Sequence, residues 1–132
     1  GHIDHFAHIS ELKLMTGAKV ICHKKAAKAL ETGISSPVVI NNFLGKLLLP
    51  LMIRDESINY SPVTPDIVLE DEYDLKEFGI DAKIIMTPGH TDCSMSVITG
   101  SGEAVTGDLV ISSPFSPGKP HINFIVSDKG DR

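Results

Sequence analysis

Three short clusters carry side chains able to hold a metal ion: His2-Ile3-Asp4-His5, Thr87-Pro88-Gly89-His90-Thr91 and Thr106-Gly107-Asp108. Imidazole and carboxylate are borderline-to-hard donors that suit zinc, iron and manganese. In an extended segment side chains alternate, so His2 and Asp4 are expected to point the same way. His5, opening a helix, turns elsewhere, and one short segment can then serve two ions. A carboxylate at Asp108 is suited to lie between two cations and bridge them. A helix N-terminus at His5 would favour a hydroxide or an anionic substrate group. Two of the clusters also have an ordinary reading. Asp108 alone is a common turn residue, and an opening Gly-His is a frequent remnant of tag removal.

The elements around these clusters read as an α/β layered pattern. Residues 5–16 place Phe6, Ile9, Leu12 and Met15 at helical spacing, and Gly17 stops that helix. Lys19 to His23 reads as a short strand and residues 24–32 as a second helix closed by Gly33. Strand and helix alternation of this kind belongs to layered α/β domains. Residues 34–62 break the rhythm: the apolar run from Phe43 to Ile53, interrupted at Pro50, reads as a helical hairpin, a lid or a dimer surface. Residues 63–74 hold a strand and an acidic turn. The segment Ala82 to Gly89 reads as a buried strand entering a turn, and residues 94–108 as a hairpin around Gly100 to Gly102. The Pro/Gly-rich stretch that follows reads as a loop. The three clusters thus fall where strands give way to turns, which is where α/β sheets carry their sites.

The totals fit one domain. Of 132 residues, 42% are hydrophobic and 22% charged, ordinary values for a globular chain. The net charge of -5 argues against nucleic acid or an anionic membrane as the main partner, since both need a basic field. Two separated cysteines, Cys22 and Cys93, form no disulfide framework, which makes a reducing, cytoplasmic setting the expectation. No apolar run reaches the length of a membrane span. No signal peptide is legible, and the chain opens without an initiator Met, as a processed protein or a piece of a longer one would. Cys22 reads as a small core residue, His23 as a turn-capping histidine, His8 as a surface neighbour of His5 and His121 as a loop residue.

In order and wording the clusters resemble the motifs of the metallo-β-lactamase superfamily, and their spacing resembles its glyoxalase II-like hydrolases. His2-Ile3-Asp4-His5 looks like the later part of a His-x-His-x-Asp-His motif, with Gly1 as its first x. TPGHT at 87–91 and TGD at 106–108 look like the later ligand motifs. The resemblance implies an αββα sandwich, incomplete at both termini over residues 1–132. It implies a first His just before Gly1 and a last His after Arg132. His2 and His90 would then share one metal with the first His, and Asp4 and His5 the other with the last, while Asp108 bridges. Asp4 would also orient a bridging hydroxide or take its proton. Cys93 stands where many relatives carry Gly.

The implied activity is metal-dependent hydrolysis of a thioester, lactone or other ester by a metal-bound hydroxide on a small-molecule substrate. Two divalent ions are implied, zinc first, with iron or manganese accepted by the same donors. The activity belongs to the full-length protein, residues 1–132 alone being expected to be inactive. Two alternatives stay open: a non-catalytic or truncated module of the same fold, and a mononuclear iron oxygenase of the same superfamily. Metal content separates them.

Overall fold

The computed structural model describes residues 3–34, 60–113 and 116–122. The expected lid or hairpin at 34–62 therefore lies almost wholly outside the described residues. The elements run α1 (Ile3–Phe6), α2 (Ile9–Thr16), β1 (Ile21–His23), α3 (Lys24–Thr32), β2 (Ile67–Leu69), β3 (Tyr73–Asp74), β4 (Ala82–Met86), β5 (Met95–Thr99), β6 (Ala104–Val105), β7 (Val110–Ser113) and β8 (Ser116–Ile122). Among the described residues no helix is long and apolar enough to cross a membrane.

Helix α3 is set by both its ends. His23 stays extended at the N-cap, and its Nδ1 accepts the amide of Lys25 at 3.2 Å. Gly33 closes the helix in the left-handed region, its N–H donating to Ala29 O. A Cβ at Gly33 would also strike Tyr60 O, so residues 60–63 can dock here only against glycine. Tyr60 N donates to Gly33 O and Val63 N to Leu30 O, which lays residues 60–63 along the end of α3.

Strands β1 and β2 pair in parallel, Ile21 opposite Ile67 and His23 opposite Leu69. Alternation sends Cys22 to one face, where it packs with Val20, Leu30 and Val63, flanked by Phe6, Ile9, Ala26 and Ala27. Ile21 and Ile67 face the other way, onto Leu69, Leu75, Ala82 and Ile84. That second core also takes Met86, Met95 and Val97 from the antiparallel sheet β3-β4-β5-β6. One small sheet thus lies between helix α3 and a second sheet. This mixed α/β arrangement is consistent with the expected fold class, and the described residues contain one helical layer of the two that an αββα sandwich requires.

Three expectations are corrected. The helix expected over 5–16 is two helices, broken at Ala7 and His8, and it begins earlier, at Ile3. Its apolar stripe is not core: Leu12 is 56% and Met15 82% exposed, and α2 buries no residue, because only Phe6 and Ile9 reach the first cluster. The Pro/Gly-rich stretch is a hairpin, β7 against β8, with a register shift at Ser112/Ser113. Pro117 and Pro120 mislead there. A two-stranded ribbon has an unpaired edge on each strand, where a residue without an N–H costs no ladder bond.

Candidate functional site

His5, His90 and Asp108 come from three distant elements and meet at one carboxylate oxygen. His5 is in α1, His90 in the β4–β5 loop, and Asp108 in a one-turn helix, residues 107–109, after β6. His5 Nε2 lies 2.8 Å from Asp108 Oδ2, and His90 Nε2 lies 3.7 Å from the same atom. A carboxylate only accepts, so His5 donates through Nε2–H. His90 is buried, while His5 and Asp108 are partly open to solvent.

The His90 loop is held by its own hydroxyls. Thr91 Oγ1 and Ser94 Oγ are 2.8 Å apart, Ser94 Oγ accepts the amide of Thr91, and Thr87 Oγ1 meets Ser96 Oγ at 2.8 Å. Thr91 and Ser96 are both buried, so these pairs satisfy groups that would otherwise be costly to enclose. Gly89 has a separate task. A Cβ there would stand 2.9 Å from Leu109 Cδ1, a movable side-chain end, so glycine eases the close approach of the loop to the Asp108 turn. Asp92 reaches out of the loop to Lys25 Nζ at 2.7 Å and ties it to α3.

Of the expected ligands, His2 lies outside the described residues, and Asp4 is described only as backbone within α1. That backbone corrects two expectations. Residues 3–6 are already helical, so the alternation argument for His2 and Asp4 does not apply at Asp4. His5 sits in the last turn of a four-residue helix rather than at a helix start, so no helix-end field for an anion is available there. Cys93 lines the same cavity as His90, and its Sγ lies 3.3 Å from Thr91 Oγ1. His8 is exposed and meets Glu11, 3.1 Å away. His121 lies in β8 rather than in a loop.

The three groups border a cavity of about 240 Å³. Its remaining wall is largely apolar, with Phe6, Ile9, Leu30 and Met95 among the contributors, and His23 is the polar member that sequence reasoning passed over. A donor set of two imidazoles and a carboxylate fits a divalent cation by chemistry. By arrangement, the three meet pairwise on Asp108 rather than around a common point, and among the described residues no group of three or more His, Cys, Asp or Glu is spaced to hold a metal.

The family model for the Metallo-beta-lactamase superfamily matches residues 1–128. No curated protein and no solved structure matches the chain.

Proposed function

This chain belongs to the metallo-β-lactamase superfamily, and on that premise we propose that it is a metal-dependent hydrolase acting on a thioester, lactone or other ester of a small molecule. The observation that carries this reading is the approach to Asp108 Oδ2 of His90 and of His5, the latter from 103 positions away. A turn aspartate needs no imidazole partners. Two of them close to one oxygen, at the wall of a cavity, gather three candidate donors in one place.

His5, His90 and Asp108 would hold divalent ions, with His2 and Asp4 completing the set from this chain. Bound there, such ions acidify a water and polarise a carbonyl. Asp4 would accept the proton of that water. The apolar wall lowers the local dielectric and strengthens each of these charge interactions. Zinc is the first expectation for the metal, and a reducing compartment such as the cytoplasm for the setting, since two widely separated cysteines make no disulfide framework.

The test is elemental analysis of the full-length protein, with hydrolysis assays on aryl esters, thioesters and lactones. Two equivalents of metal and turnover abolished by chelation are expected. One equivalent of iron with no hydrolysis would point to the oxygenase alternative. Absence of both metal and turnover would reduce the chain to a non-catalytic member of the fold.

A further inference from the structure

His23 has a second ring nitrogen that capping does not use. The residue is 7% exposed, and its Nδ1 is committed as an acceptor to the Lys25 amide. An acceptor Nδ1 places the neutral ring's proton on Nε2. Among the described residues nothing accepts from that Nε2–H. No buried side-chain nitrogen or oxygen among them is both sealed from solvent and unpartnered, so the Nε2–H has open space before it. That space is the cavity: His23 lines it together with His5, His90 and Asp108. A donor that opens on a cavity is available to an acceptor on whatever occupies it, water or ligand.

The surroundings narrow what that something is. Most of the cavity wall is apolar, with Phe6, Ile21, Leu30 and Met95 among its residues. Pockets of this kind bind an apolar body and orient it by a few fixed polar points. Burial, and then Lys25 and Lys24, disfavour the charged form of His23, while Asp92 and Glu70 oppose them. The neutral ring, with Nδ1 accepting from Lys25, donates through Nε2–H.

We propose that His23 is a ligand-binding residue whose Nε2–H donates to an acceptor oxygen of an apolar-bodied substrate lodged beside His5, His90 and Asp108. Resting on the hydrolase reading, that oxygen is the ester carbonyl before cleavage and a carboxylate oxygen of the released acid after it. His23 then sets preference: an acyl group with an apolar tail fits, and a strongly charged one does not.

Two substitutions separate the donor from the cap. His23→Asn keeps an acceptor for the Lys25 amide, as asparagine is a favoured N-cap, but has no donor at the Nε2 position. His23→Gln reaches that position with an N–H. The probes are sodium hexanoate for binding and an aryl hexanoate for turnover, on the full-length protein labelled with ¹⁵N-histidine. Hexanoate is expected to shift the His23 Nε2–H resonance. His23→Asn should weaken hexanoate binding and raise KM about tenfold, the loss of roughly one hydrogen bond, with the unfolding midpoint unchanged. His23→Gln should recover much of the binding.

An unmoved His23 resonance on hexanoate addition, or wild-type binding by His23→Asn, overturns the assignment. If His23→Asn does not fold, the titration of the wild-type resonance still decides. A shifted resonance with no ester hydrolysis keeps His23 as a binding residue and removes the hydrolase reading. Hydrolysis with an unshifted resonance does the reverse.

Discussion

Asp108 Oδ2 accepts from His5 Nε2 at 2.8 Å across 103 positions of sequence, and the same oxygen lies 3.7 Å from His90 Nε2. Asp108→Ala should therefore remove a shared centre. On the proposed two-metal reading it is expected, in the full-length protein, to cost one metal equivalent and most of the turnover, because two divalent ions ~3.5–4 Å apart would repel strongly without an anion between them. Asp92→Ala loses only a half-exposed pair with Lys25, worth about 0.5 kcal/mol, and should keep its metal. Elemental analysis of both variants checks this, and full metal content in Asp108→Ala would remove the bridging role.

Gly17 and Gly33 both cap helices in the left-handed region, at φ +68 and +70. An alanine at either carries the backbone cost of that region, about 1–2 kcal/mol. Only at Gly33 does a Cβ also meet the backbone of Tyr60, while Gly17 faces open space. Gly33→Ala should thus lower the urea midpoint clearly more than Gly17→Ala. Equal shifts would mean that residues 60–63 do not dock on α3 as described.

Asp66 links α2 to β1. Lys13 Nζ stands 2.7 Å from its carboxylate, the Val20 amide 2.9 Å and Lys19 Nζ 3.3 Å. The Lys13 hydrogen bond first, then that from Val20, holds the carboxyl well below the usual range. Its folded pKa is lower than its unfolded one, so its contribution is complete above about pH 4 and is lost as pH falls further. Asp66→Asn should flatten that acid limb of the stability curve. An unchanged acid limb, followed by circular dichroism, would contradict the linkage.

Cys22 is buried, and desolvation raises its thiol pKa, with Glu31 and Cys93 adding to the effect. Cys93 is half-buried at the cavity. Iodoacetamide under native conditions should label Cys93 first and reach Cys22 only in denaturant, as mass spectrometry of peptides will report. Early labelling of Cys22 would mean that the first core cluster opens readily.

What the sequence displays is mostly local. Helix α3 was legible at both ends, since a capping histidine and a terminal glycine act on their immediate neighbours. The β5–β6 hairpin was legible from its glycines. The exposure of Leu12 and Met15 was not, because periodicity reports an apolar stripe without saying what covers it. The β7–β8 hairpin was hidden by prolines that a ribbon's edges tolerate. The approach of His5 and His90 to Asp108 has no local signal at all, and only the resemblance of the three motifs to a family suggested it. His23 was read as a cap, and the use of its other nitrogen depends on a cavity that no spacing encodes.

The parallel pairing of β1 with β2 has a kinetic consequence. The β3–β6 sheet joins neighbours in sequence, whereas β1 and β2 meet across some 46 positions and must close a long loop first. Loop closure is paid before such contacts repay it, so long-range parallel pairing is slow. The meander can form early, while the two-stranded sheet that carries His23 waits. Cations present during refolding would find scattered imidazoles at first and a shared pocket only late, so their capture should track the slowest folding phase.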